Sequence, residues 1–246
     1  MGKEKKQRID KVLASSGYGS RKEVKKLIKE GLVSVNGHVV SDPGLLVNPS
    51  EDQISVSGQD LTYQEYIYIM MNKPDGVISS TYDTKDTTVI DLLEGEYSYR
   101  DLFPVGRLDK DAEGLILLTD DGKLAHRLLS PKNHVEKTYY VEVEGSLDEG
   151  DVKAFAKGIR LEDFVTLPAK LEILESGQIS RCYVTICEGK FHQIKRMMQA
   201  RGKEVIYLKR LSIGPLKLDQ KLSPGEWRQL TEDEIYLLSH LEGAST

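Results

Sequence analysis

The stretch LFPVGRLDKDAEGLILLTDDG, residues 102–122, places five acidic side chains around a four-residue aliphatic run, Leu115–Leu118. A short apolar run bounded by turn residues reads as a buried strand. Pro104 and Gly106 deny a helix to the residues ahead of it. The segment therefore predicts a strand over LFPV, a polar loop, a second strand over LILLT and a turn at DDG. Asp109, Asp111, Glu113, Gly114 and Asp120 also fall on the first, third, fifth, sixth and last positions of an EF-hand calcium loop. Three features oppose that register. The fifth position carries the longer Glu, the last carries Asp where a bidentate Glu belongs, and no helix can lead in.

Periodicity elsewhere divides the chain of 246 residues. RIDKVLASSG spaces Ile9, Val12 and Leu13 as a helix that stops at Gly17. In SRKEVKKLIKEG, Ser20 and Glu23 form a capping box and Val24, Leu27 and Ile28 an apolar stripe. Arg21, Lys22, Lys25, Lys26 and Lys29 take the rest of that helix surface. Asn36-Gly37 marks a hairpin, and DQISVSG adds a third strand. These elements define a small domain over 1–58, followed by a polar linker over 59–65. Residues 66–246 then read as strands at 66–71, 102–105, 115–119, 137–143, 170–175, 180–187 and 204–208. Helices are expected near 86–94, 122–130, 148–157, 192–201 and 231–240, the last capped by Thr231 and Glu234. Strands outnumber helices without regular alternation, which predicts an α+β fold with a mostly antiparallel sheet.

Net charge is −5, yet residues 1–29 hold ten Lys or Arg against three acidic residues. A basic end on an acidic chain points to a nucleic-acid partner, the plain alternative being a solvated charged face. No apolar run approaches the roughly 20 residues of a membrane helix, and no apolar segment follows the basic start as in a signal peptide. Cys182 and Cys187 lie an odd offset apart in an alternating segment, on opposite strand faces, which suits a reducing, cytoplasmic compartment.

Metal, phosphoryl-transfer and serine-type chemistries find no spacing to support them among the five His, two Cys and the glycines. A carboxylate nucleophile remains, and it needs a cation beside it to stay ionised in a dry site. Arg107 would share a face with Asp109 if the strand reached that far. EGKFHQIKRMMQARGKEV gathers Lys190, Lys195, Arg196 and Arg201 on a turn and helix, or on a merely solvated helix surface. In EKTYYVEVEG, Lys137, Tyr139, Val141 and Val143 alternate onto one side, so Tyr139 points inward, as a core ring or as a surface for stacking a base.

RIDKVLASSGYGSRKEVKKLIKEGLVSVNG resembles an S4 domain, a small RNA-binding module. FPVGRLDKDAEGLILLTDDG, MMNKPDGVIS, KTYYVEV, EGKFHQIKRM and LKRLSIGPLKL are similar, in order, to the motifs of pseudouridine synthases. The resemblance implies an S4 domain followed by a catalytic domain that isomerises uridine in RNA without cofactor or metal. It implies that Asp109 is the nucleophile and Tyr139 the ring against the target base. It further implies that Lys195 is the cation paired with Asp109, and that Arg107 helps fill the space left by the flipped base. Arg8, Arg21, Lys22, Lys25, Lys26, Lys29, Lys190 and Arg196 are then the expected RNA contacts. LLSPKNHVEKTYYV together with the S4 domain resembles the branch acting on 16S ribosomal RNA, with sister branches acting on the large-subunit 23S RNA; the alternative without catalysis is an S4-type RNA-binding protein, which would not need Asp109. The expected partner is ribosomal RNA in an assembling subunit, met by a monomer away from any membrane.

Overall fold

A computed structural model describes residues 6–241. Lys3 and Lys5 of the basic count and Glu4 of the acidic one lie outside the described residues. The chain divides into two compact units. The first runs to Tyr66 and takes back Gly95–Asp101 from later in the sequence; the second comprises the rest.

In the first unit, β1 (Gln7–Arg8) pairs with β4 (Leu46–Val47), beside helices α1 (Ile9–Ser15) and α2 (Arg21–Lys29). A four-stranded antiparallel sheet holds β2 (Val33–Val35), β3 (His38–Val39), β5 (Ile54–Val56) and β6 (Gln59–Asp60) in the order β3-β2-β5-β6. Ile9, Val12, Leu13, Val24 and Ile28 are all fully buried in its core, as their helical spacing requires. The Ser20 hydroxyl accepts from the Glu23 amide while the Glu23 carboxylate accepts from the Ser20 amide, closing the capping box. The expected linker over 59–65 starts as a strand instead. Ser55 and Val56 pair with Asp60 and Gln59, because the edge of β5 would otherwise carry unsatisfied backbone groups. Arg100 donates to the Gln64 and Glu65 carbonyls at 2.6 and 3.1 Å, tying the returning segment to this unit.

The second unit is built on a nine-stranded sheet. Its strands are β7 (Tyr68–Lys73), β8 (Phe103–Pro104), β9 (Glu113–Thr119), β10 (Lys137–Glu144), β11 (Lys170–Glu175), β12 (Ile179–Ile186), β13 (Glu204–Ile213), β14 (Leu216–Lys217) and β15 (Trp227–Gln229). The main order is β11-β12-β10-β13-β9-β7-β15, with β14 on β13 and β8 on β9. Among the described strands of this sheet, only the β9–β13 pairing is parallel. There Gly114 (φ 98°) lies against the Arg210 backbone, where any Cβ would collide. Helices α3 (Gly122–Leu129) and α6 (Glu232–Ser239) pack with β7 and β9, and α4 (Glu149–Lys157) and α5 (Gln193–Ala200) with β10 and β12.

The helix expected over 86–94 is a single turn, Asp91–Leu93. Its first residues are drawn into long-range pairing, with a bridge between Ile78 and Thr88 and a hydrogen bond from the Val89 amide to the Ile78 carbonyl. Glu94 and Gly95, at φ 50° and 78°, then end the turn.

Candidate active site

Asp109 sits on the loop between β8 and β9. The strand before it stops at Pro104, so strand alternation does not reach Arg107; the loop itself turns both side chains toward one recess. The loop backbone is fastened on either side of Asp109. The Ser79 hydroxyl donates to the Leu108 carbonyl and accepts from the Leu108 amide, both at 2.9 Å. Beyond Asp109, Lys73 Nζ donates to the carbonyls of Lys110 (3.1 Å), Ala112 (2.7 Å) and Pro74 (2.9 Å). Lys73 is fully buried. Burial pushes its pKa down to about 8, so it holds its proton at neutral pH, and the three N–H groups of the ammonium match the three carbonyls.

Tyr139 enters the same recess from β10, whose burial alternates along its length. It is 6% exposed and packs with Leu108, Ala112 and Ile194 in one apolar cluster. The third wall is the turn into α5, with Lys190 and His192 at its rim. This turn is braced from below. Buried Gln193 donates to the Glu188 carboxylate at 2.8 Å and accepts from the Lys190 amide at 3.0 Å.

The electrostatics concentrate on Asp109 and Asp111. Lys195 Nζ donates to both Asp111 oxygens at 2.6 and 2.7 Å and lies 3.6 Å from Asp109 Oδ2. Its hydrogen bonds hold the Asp111 carboxyl below the usual carboxylate range. His192 Nε2 lies 3.6 Å from Asp109 Oδ1. Lys195 is therefore shared between two carboxylates, and Asp109 has a second basic neighbour. Sequence spacing indicated neither point, since His192 and Lys195 reach Asp109 and Asp111 only after folding.

The other acidic residues of the opening segment have separate duties. Glu113 accepts from the Tyr207 hydroxyl, Asp120 from the Ile67 amide, and Asp121 caps α3 through the Lys123 and Leu124 amides. Among the described residues no three His, Cys, Asp or Glu side chains are grouped to hold a metal ion.

Arg196, expected on RNA, is paired with Asp163 and lies 5.4 Å over the Phe164 ring; Lys190 is exposed, 5.9 Å from the same ring. In the first unit, Arg21, Lys22, Lys25, Lys26 and Lys29 are exposed along α2. Arg8 is half-exposed and donates to both oxygens of buried Asp10. Cys182 and Cys187 are both free thiols. No helix among the described residues is long and apolar enough to cross a membrane.

Comparison with known proteins accounts for both units. A model of the RNA pseudouridylate synthase family matches residues 67–200, and an S4 domain model matches residues 7–54. The uncharacterized RNA pseudouridine synthase YtzG of Bacillus subtilis is 51% identical over 94% of this chain and 98% of its own. Ribosomal small subunit pseudouridine synthase A of Vibrio cholerae is 42% identical over 93% of this chain and 97% of its own. Ribosomal large subunit pseudouridine synthase B of Bacillus subtilis is 41% identical over 96% of each. A crystal structure of a pseudouridylate synthase superposes with a TM-score of 0.66 at 40% identity, covering 94% of this chain and 99% of that one. With family motifs, relatives and fold in agreement, this chain belongs to the RNA pseudouridine synthases that carry an S4 domain at the N-terminal end.

Proposed function

We propose that Asp109 is the nucleophile of uridine isomerisation and that the target base stacks on Tyr139. The observation that carries this reading is the recess itself. An acidic side chain on a loop clamped at Leu108, Lys110 and Ala112 faces a largely buried aromatic ring, with Lys195 at 3.6 Å. The target uridine leaves its stack at a cost of about a few kcal/mol. Asp109 attacks at ribose C1′ or uracil C6, and the N-glycosidic bond breaks. The base turns within the site and C5 bonds to C1′ as the bond to Asp109 breaks; C5 then gives up its proton and N1 takes one. Lys195, at 3.6 Å, sets a positive charge beside the Asp109 carboxyl. Arg107, exposed at the mouth, fills the space the base has left. The basic face of α2 supplies phosphate contacts.

The substrate we assign is small-subunit (16S) ribosomal RNA in an assembling subunit, modified by a monomer in the cytoplasm without a cofactor. The S4 domain and the segment LLSPKNHVEKTYYV support it, as does the 42% identity to a small-subunit synthase. Large-subunit RNA is the second reading, favoured by the nearly equal 41% identity to a large-subunit synthase. Incubating the protein with unmodified 16S and 23S transcripts and mapping pseudouridine decides between them. New pseudouridine in the large-subunit transcript alone overturns the first assignment.

A further inference from the structure

A row of three side chains leads from the Asp109 carboxylate out into solvent. His192 Nε2 stands 3.6 Å from Asp109 Oδ1, and the His192 ring is stacked on Phe191 with centroids 3.8 Å apart and planes at 17°. Phe191 is 75% exposed, the highest exposure among the described large hydrophobic residues. This exposure gains nothing for folding, since burying an aromatic ring is worth more than leaving it in water. The backbone holds it there nonetheless. His192 adopts φ 49°, an uncommon conformation for a residue with a side chain, and Gln193 below it anchors the turn to Glu188 and to the Lys190 amide. One face of the Phe191 ring is taken by His192; its exposure leaves the other to solvent. Two cations flank the rim, Lys190 beside it in sequence and exposed Arg107 lining the same recess, alongside the Asp109 and Asp111 carboxylates. An exposed aromatic face among cations is the arrangement that stacks a base while its phosphates are neutralised.

We propose that Phe191, carried on His192, is the platform for the base next to the flipped uridine, so that this rim reads the single-stranded neighbour of the target. The inference rests on the assignment of Asp109 as the reactive centre. The flipped base occupies the recess on Tyr139, and its neighbour meets the first aromatic surface outside, Phe191. A planar stack of His192 and Phe191 extends the base stack that the flip interrupts.

The test uses the full-length protein and an RNA fragment in which it forms pseudouridine, with 2-aminopurine replacing the base on either side of the target. Stacking on an aromatic ring quenches the fluorescence of 2-aminopurine. Wild type and Phe191→Trp are expected to quench one flanking position. Phe191→Ala and Phe191→Leu are expected to lose that quench and raise KM about tenfold, the effect of one lost stacked base. Their single-turnover rate at saturating RNA should stay within about threefold of wild type. Phe191→Leu keeps apolar bulk without a π face, so quenching and KM at wild-type values in that variant overturn the platform. An unchanged quench in Phe191→Ala does the same. If no RNA gains pseudouridine, the underlying reading fails instead. In that case 2-aminopurine in single-stranded ribosomal RNA bound by the protein still reports on Phe191, and equal quenching by wild type and Phe191→Ala overturns the platform independently.

Discussion

Lys195 Nζ stands 3.6 Å from Asp109 Oδ2, within ion-pair reach but too far for a hydrogen bond, because both of its short contacts go to Asp111. The cation acts on Asp109 through its field while being held in place by a neighbouring, more exposed carboxylate. Removing either partner therefore has a different consequence.

Lys195→Met should lower the single-turnover rate by about a hundredfold, because it leaves two carboxylates close together without their shared cation. Asp111→Asn should cost less than Lys195→Met, since the cation stays beside Asp109 when its anchoring carboxylate is lost. Single-turnover rates of both variants check this; equal losses would contradict the shared-cation geometry.

Asp109→Asn should abolish turnover while leaving RNA affinity within a few-fold. The amide keeps the shape and cannot attack carbon. Pseudouridine formation and a filter-binding titration measure the two sides, and residual activity within about tenfold of wild type would remove Asp109 from the proposed role.

Tyr139→Phe should cost little, whereas Tyr139→Ala should lose most of the rate and about 3 kcal/mol of stability. The ring is almost fully buried, and its truncation opens a cavity as well as removing a stacking face. Single-turnover rates and denaturant midpoints separate the two losses. Equal loss of rate for both variants would point to the hydroxyl rather than the ring.

Activity should decline above about pH 8 while the protein stays folded. Lys73, with its pKa pushed down to about 8 by burial, there loses one of the three N–H donors that hold the loop around Asp109. The effect on stability has the opposite sign. Between about 8 and 10.5 the folded state has released a proton that the unfolded chain still binds, so Lys73 makes folding more favourable as pH rises. Circular dichroism should therefore be unchanged while the rate falls. Lys73→Met should lower kcat by about a hundredfold, the cost of a loop displaced by about 1 Å.

Replacing Lys22, Lys25 and Lys26 by Gln should flatten the slope of log affinity against log salt by about 2 to 3, with activity at saturating RNA largely kept. Lys26 has an exposed partner in Glu30 at 3.7 Å, which is too weak to withhold it from a phosphate. Identical salt slopes for wild type and the triple variant would leave α2 as a merely solvated face.

The features legible in the sequence are those fixed by near neighbours. Ser20 and Glu23 cap α2 because their partners are three residues apart, and Tyr139 faces inward because strand side chains alternate. The loop carrying Asp109 was legible as a loop from Pro104 and Gly106. Other features depended on contacts across the chain. Gln59–Asp60 looks like linker until β5 offers it an edge, and residues 86–94 look like a helix until Ile78 pairs with Thr88. At the proposed site, the resemblance is what assigns roles to Asp109, Tyr139 and Lys195; spacing alone leaves Tyr139 open as a core ring and Lys195 as a solvated cation. Only the tertiary structure brought His192 to Asp109, divided Lys195 between two carboxylates and set buried Lys73 under the loop. Local hydrogen bonds and side-chain periodicity act over a few residues and are written in the sequence. The field at a carboxylate depends on distance in space, which the chain acquires only when β7, β9 and α5 pack together.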